Sequence, residues 1–592
     1  MGPALTIDIG PSTGAYLAGF GDSEEHPPLS FRWSGPIGNI HAPPVTRGGP
    51  GRLLVRYGRF TGGPAAVQIL LSGTAAGSFT ASPGRFRVET VPLAVPPGPL
   101  RLQLLSSSSA ENDPGLAIDW IRVEGVPWRL PLSVAAPRAL VAGAFVLCLA
   151  SGLPALTALA AALVLAVAEA TWAAFDPFAL AHASTKVVLP VLGLGALCAV
   201  VARRVPGARW LTPIFLAGYL LKGAAVFHPS YFYPDVRNHA RYVSAMAHAS
   251  GSVVRRGIEA QIQVRTAYPR VVGGRPYVFP YSPLFFVPFS WLPPGRAWVE
   301  EGMKHVALAA AAAEVLVVFG LARLVFGPGS GVAAAALAAS LPPMYSRLLL
   351  AMHPTVVGHL LDTLAIALSA RVVVFPTARR LAAFGASTLA AFLTYIASLF
   401  NLSLFTAALA ALERRLAPRL LAVAGAAAVL TVGALYLPFT RVFVTEIVPA
   451  LMRGEAGSAS DSGAADATPA GALARIPLFY GFAYPLLAVG GLALARRRAL
   501  PGGYHVLAAY GLAFAALVAL RAFGGGLFKD LKEIEFAAPL VAVTAGAVLD
   551  GLSARGRAGR VAAVLAGAGL VVFGLARAFG YLGEHSSLID LG

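Results

Sequence analysis

The stretch LTPIFLAGYLLKGAAVFHPSYFYPDVRNHARYV, residues 211–243, changes character at its middle. Its first half is almost purely apolar, and its second half sets one acid, Asp235, beside Arg237, His239 and Arg241. The hydrocarbon core of a bilayer takes about 20 residues of helix to cross. The stretch therefore reads as a membrane helix that ends at a polar, aromatic surface. The rest of the chain has the same texture: of 592 residues, 57% are hydrophobic and 12% charged, against about 25% charged in soluble domains.

Apolar runs fall at about 138–152, 154–174, 186–202, 210–226, 303–325, 329–350, 355–375, 382–400, 401–413, 419–437, 476–495, 503–521, 534–552 and 560–580. They predict an α-helical polytopic membrane protein of about 12–14 transmembrane helices over residues 131–592, the shorter runs being re-entrant or fused. The net charge of +18 sits largely in short loops between these runs, which is the positive-inside pattern and not a nucleic-acid footprint. Five arginine clusters (203, 204 and 209; 371, 379 and 380; 414, 415 and 419; 496–498; 555, 557 and 560) thread to one side, taken as cytoplasmic. The loop 227–300 and the stretches 438–475 and 522–533 then face outward. Cys148 and Cys198 lie inside apolar runs, so they read as buried small hydrophobes with no disulfide framework.

Residues 1–130 differ. LLVRYGRF, AAVQILLSG, RFRVETVPLAV, LRLQLLSSSS and LAIDWIRVEG are short, partly alternating runs between turn-forming clusters. They predict an all-β sandwich, jelly-roll-like and outside the membrane. Residues 1–20 carry no basic region followed by an apolar core, so either a signal or transmembrane segment precedes them or the topology differs; the consistent arginine pattern favours a preceding segment.

Asp235 is the leading catalytic candidate. Tyr231 to Pro234 crowd it with apolar surface, and desolvation raises a carboxylate's proton affinity and makes it a useful base. The run DVRNHARYVSAMAHA has a helical pattern that puts Asp235, His239 and Tyr242 on one face. The ordinary alternative is a solvated loop acid paired with Arg237 or Arg241.

The acid at a helix end, the acid-x6-Tyr spacing from Asp235 to Tyr242, and the returning segment FPYSPLFFVPFSWLP, which carries Tyr281, resemble the GT-C superfamily of membrane glycosyltransferases. The similarity is greatest to the bacterial polyprenyl-phosphate-sugar-dependent mannosyl- and arabinofuranosyltransferases, weakly over about 210–420. GHLLDTLAIALSA falls where that family often has a polar helix start, and Tyr395 stands where it often has Lys-Pro. The resemblance implies a polyprenyl-phosphate-sugar donor, a glycan, lipid or protein acceptor, a site on the extracytoplasmic side of a bacterial plasma membrane, and Asp235 as general base. No cofactor is expected; a divalent metal is compatible with the chemistry, but no acid-x-acid motif calls for one.

Other polar residues complete the candidate set. Arg237, His239, Tyr242 and Tyr281 accompany Asp235 as substrate-binding candidates. GGGLFKDLKEIEFAAPL offers Lys529 and Lys532 as a phosphate clamp, with Asp530 between them; the alternative is a solvated loop of internal ion pairs. PPMYSRLLLAMHPTVVGHLLDT offers Arg347 and His353 near an outer helix end. His359 and Asp362, one turn apart and deeper, are a functional candidate or a structural pair. His228, His248 and His305 lack metal-ligand spacing. The low-complexity run MRGEAGSASDSGAADATPAG, 452–471, reads as an external loop. Two other classes stay open: a lipid-linked-sugar transporter or flippase, which would show inverted repeats, and a non-enzymatic membrane scaffold whose β-domain binds a glycan.

Overall fold

The computed structural model describes residues 5–9, 17–26, 29–45, 47–60, 62–71, 73–107, 115–126, 135–175, 177–227, 234–264, 270–272, 275–277, 281–291, 296–349, 352–437, 444–445, 476–477, 479–500, 502–523 and 535–588. All five β-runs picked from the sequence are strands.

The N-terminal domain has nine: β1 (Leu5–Asp8), β2 (Leu17–His26), β3 (Leu29–Val45), β4 (Gly49–Arg59), β5 (Ala65–Leu71), β6 (Thr74–Ala81), β7 (Gly84–Val95), β8 (Gly98–Ser106) and β9 (Leu116–Glu124). They pair antiparallel in the order β6-β5-β8-β3-β9-β4-β7, with β2 on β3 and β1 on β9. The long β3 makes the sandwich. Its first half pairs with β9 at Arg32–Ser34 and its second half with β8 from Ile37 to Val45, so one strand belongs to both layers. Alternate residues of both layers, Val67, Ile69, Leu102 and Leu104 against Leu53, Val55, Ile118 and Ile121, share one core.

Helices follow: α1 (Ala135–Ala150), α2 (Ala155–Phe175), α3 (Pro177–Arg204), α4 (Leu211–Val226), α5 (Pro234–His248), α6 (Val253–Val264), α7 (Arg296–Phe326), α8 (Pro328–Ser340), α9 (Pro343–Leu349), α10 (His353–Val374), α11 (Ala378–Thr394), α12 (Ala397–Leu412), α13 (Ala417–Thr431), α14 (Ala483–Arg498), α15 (Gly503–Phe523), α16 (Ala538–Ser553) and α17 (Arg557–Leu588). Among the described residues seven helices are long and apolar enough to cross a membrane, and four shorter apolar helices accompany them. Leu156, Leu189, Val429, Leu486 and Val564 project outward from their helices, which suits lipid and not water. The chain is a multi-pass membrane protein.

One helix expected from the sequence is two. The run 329–350 breaks at Leu341–Pro342 into α8 and α9, because the residue before a proline avoids the helical region and Leu341 is extended at ψ 123. The break matters, since it frees α9 to tilt its polar residues into the bundle.

The centre of the bundle is α16, buried along most of its length. Small residues let its neighbours approach. A Cβ on Gly546 would lie 2.6 Å from the Ala334 backbone nitrogen of α8, and one on Gly491 of α14 would lie 2.3 Å from the Thr544 carbonyl oxygen. Close backbone packing is the main attraction available between helices in lipid. Gly546→Ile should therefore separate α8 from α16 and lower the thermal midpoint in detergent by several degrees, whereas Gly569→Ile, at a position with open space, should not. Equal midpoints in the two variants would contradict this packing.

Candidate functional site

The run predicted helical after Asp235 is α5. Its buried positions, His239, Ala240, Tyr242, Val243 and Met246, recur at helical spacing, while Arg241 is exposed. That stripe packs on Phe285, Phe286 and Phe289 of the returning segment and on Val299 and Met303 of α7. His239 lies 6.0 Å from the Tyr281 ring and 5.3 Å from the Phe286 ring; Tyr242 lies 5.4 Å and 4.9 Å from the same two. Three sequence candidates, His239, Tyr242 and Tyr281, thus share one aromatic cluster. The segment is fixed from several sides. Gln261 of α6 accepts from the Tyr281 backbone N–H at 3.2 Å, Ser282 meets the Tyr436 hydroxyl at 3.0 Å, and the Leu284 N–H donates to the Leu393 carbonyl at 3.0 Å.

Asp235 occupies the first turn of α5, four residues ahead of His239 and so on the same face. The side chains of Asp235 and Arg237, and the whole of Lys529, Asp530 and Lys532, lie outside the described residues.

Behind α5 stands the head of α10. His353 is fully buried, and neither of its ring nitrogens has a hydrogen-bond partner among the described residues; the same holds for His239 Nδ1. His239 and Lys304 are near enough to act on His353 electrostatically. Burial pushes His239 down to about 4 and raises the Tyr242 phenol far above its ordinary value, with Tyr281 adding to the rise.

Deeper in the bundle, polar side chains from six elements meet. Glu535, just before α16, accepts from Arg347 Nε of α9 at 2.5 Å and from the Ser346 hydroxyl. His359 Nε2 is 3.7 Å from the same carboxylate, and His359 Nδ1 is 3.7 Å from Asp362 Oδ2. Asn401 of α12 donates to Asp362 Oδ2 at 3.2 Å. Thr363 Oγ1 lies 2.9 Å from Glu314 Oε1 of α7, and Lys222 of α4 donates to the Ala311 carbonyl at 2.9 Å with its ammonium 5.2 Å from the Tyr345 ring centre. Three acidic side chains, Glu314, Asp362 and Glu535, therefore meet an arginine, a lysine and an imidazole. Gly358 permits this: a Cβ there would lie 2.4 Å from Tyr395 Cβ, so only glycine lets Tyr395 close on α10 beside His359.

Sequence reasoning had singled out the His359–Asp362 pair and Arg347, but missed Lys222, Glu314 and the partnership of Glu535. The signal was present, since Lys222 and Glu314 are lone charges inside apolar runs. Among the described residues no group of three His, Cys, Asp or Glu side chains is arranged to hold a metal ion.

On the β-domain, Phe31, Trp33, Phe60 and Phe86 form a ring cluster, with centroids 5.3 Å apart for Phe31–Phe86 and 6.0 Å for Trp33–Phe60. Arg56 stands 5.8 Å over Phe86 and pairs with Asp119 at 2.6 Å; burial raises the proton affinity of Asp119 and Arg56 opposes it.

No family model and no curated protein matches this chain. Solved structures resemble its two parts. The C-terminal CBM6 of the laminarinase LamC from Zobellia galactanivorans is 18% identical, with a TM-score of 0.17, over 21% of this chain and 100% of its own. The CBM36-1 domain of a xylanase from the hindgut metagenome of Trinervitermes trinervoides is 14% identical, with a TM-score of 0.18, over 21% and 98%. The archaeal oligosaccharyltransferase AglB from Archaeoglobus fulgidus, solved with an inhibitory peptide and a dolichol-phosphate, is 14% identical, with a TM-score of 0.41. That match covers 64% of this chain and 56% of the archaeal enzyme, little more than half its length.

Two measurements test the geometry. Glu535→Gln takes the Glu535 carboxylate away from the buried Arg347 guanidinium, a loss of about 3–5 kcal/mol; adding Arg347→Met should recover most of it, and additive midpoint shifts would dissolve the pair. The second concerns pH. His239 has a folded proton affinity below its unfolded one, so its contribution is complete above about 6.5 and is lost as pH falls toward 4. His239→Phe should therefore lose less thermal stability than wild type between pH 7 and 4.5, and parallel losses would show that His239 is not the buried neutral group described.

Proposed function

We propose that the chain is an integral-membrane glycosyltransferase that moves a sugar from a polyprenyl-phosphate carrier to a glycan, lipid or protein hydroxyl on the extracytoplasmic side of a bacterial plasma membrane. The observation that carries the reading is the end of α9 together with the head of α10. Through His353 it backs onto α5, the helix of Asp235; through Arg347 and His359 it grips Glu535. Glu535 follows Lys532 by three residues, and three residues of chain reach at most about 11 Å. That short spacing supports taking a lysine of this loop as the partner of the donor phosphate.

In this reading Arg347 is spent on Glu535 and positions the loop, while Lys532 or Lys529 meets the donor phosphate. The acceptor oxygen forms a bond to the sugar's anomeric carbon. The bond from that carbon to the phosphate oxygen breaks, its electron pair stays on the phosphate, and Asp235 takes the acceptor's proton. A singly linked phosphate leaving group is stabilised by ammonium groups alone. The resemblance read from the sequence around Asp235 and Tyr242 supports the same assignment. The aromatic cluster of the β-domain, flanked by the Arg56–Asp119 pair, has the stacking faces and polar edge that suit a glycan acceptor.

Asp235→Asn keeps the size and removes the base. Turnover should fall by roughly 10²–10⁴-fold while donor binding is kept; Lys532→Met with Lys529→Met should weaken donor binding by roughly tenfold or more. Wild-type turnover in Asp235→Asn would return the acid to a surface pair and move the search for the base to Asp362. The buried charges around Glu314 also suit a transporter of lipid-linked sugars. Transfer to a soluble acceptor in detergent, where no transport exists, separates the two.

A further inference from the structure

At the opposite end of the bundle from α5, a cavity of about 1000 Å³ opens where α3 ends, α4 and α8 begin, and α16 turns into α17. Arg203 and Arg209 reach its rim from the α3–α4 connection and Arg560 from the start of α17, with Trp210 beside them. None of these guanidinium groups forms an ion pair among the described residues, and all three residues are exposed. One acid, Asp550, lines the cavity, and its carboxylate is engaged by the Ser330 hydroxyl at 2.8 Å. Below the rim the wall is apolar: Leu337 of α8 and Ala563, Val564, Ala568 and Val571 along α17.

The geometry points to a binding site for an anionic phospholipid, its phosphate among the three arginines and an acyl chain along α17. Positive-inside topology puts arginines in loops, but it does not gather them from two separate connections around one hollow. Charge complementarity selects an anion, and arginine suits a phosphate in particular. An alkyl-lined wall running into the membrane from a basic rim selects a lipid over a free anion, as in basic pockets between membrane helices. Trp210 stands where an indole anchors at the level of headgroups.

The test uses the full chain reconstituted with phosphatidylglycerol or with phosphatidylcholine of the same acyl composition, read by native mass spectrometry. Wild type should retain one phosphatidylglycerol and little phosphatidylcholine, and millimolar inorganic phosphate should not displace it. The triple variant R203Q/R209Q/R560Q should lose affinity on the order of a hundredfold, at roughly fivefold per arginine. Ala568→Phe fills the apolar wall, leaves the rim charges in place, and should weaken retention on its own. It also decides the matter if the triple variant fails to insert. Equal retention of the two lipids, retention unchanged in Ala568→Phe, or full displacement by inorganic phosphate would each overturn the site.

Discussion

Arg347 is buried at the head of a membrane bundle, and a guanidinium in that setting persists only with a carboxylate against it. Its partner, Glu535, comes from 188 residues further along the chain. The pair therefore fixes where α16 begins, and α16 is the helix that α7, α8, α14 and α17 pack around. It fixes the α9–α10 turn as well, because Ser346 and His359 converge on the same carboxylate. Removing one member takes away the opposite charge that each meets at the head of the bundle, so the start of α16 leans on this contact.

The apolar architecture was open to reading from sequence, because lipid demands it. Runs of about 20 apolar residues have few other uses, and the alternation in β4, β5 and β9 is set by a core on one face and exposure on the other. What sequence left obscure is how far apart the partners lie. Arg347 and Glu535 were each visible as charges, yet nothing local says that they meet. Lys222 and Glu314 stood out as isolated charges but were absorbed into hydrophobic segments. His239 and Tyr242 were legible as neighbours on a helix because helical spacing is local. The break at Leu341–Pro342 had a signal in the Pro-Pro pair itself, which a continuous 329–350 helix ignored.

The two ends of the bundle manage charge in opposite ways. Deep and toward α5, acids and bases neutralise one another through short contacts, as a low-dielectric setting requires. At the other end Arg203, Arg209 and Arg560 stand without ion pairs among the described residues and face a hollow. One arrangement is a buried polar cluster of mixed sign, the other an exposed basic rim that attracts anions.

The elements around the candidate site are also held by different forces. The Arg347–Glu535–His359 group is directional, since each contact fixes an atom against an atom. The α5 cluster rests on ring-against-ring contacts and apolar burial, with His239 Nδ1 and both nitrogens of His353 lacking hydrogen-bond partners among the described residues. Burial is not directional, so among the described residues α5 is held on Phe286 by apolar and ring contacts, whereas α9 and α10 are held by ion pairs and hydrogen bonds. Directional contacts thus gather on Glu535, and non-directional ones on α5, among the described residues.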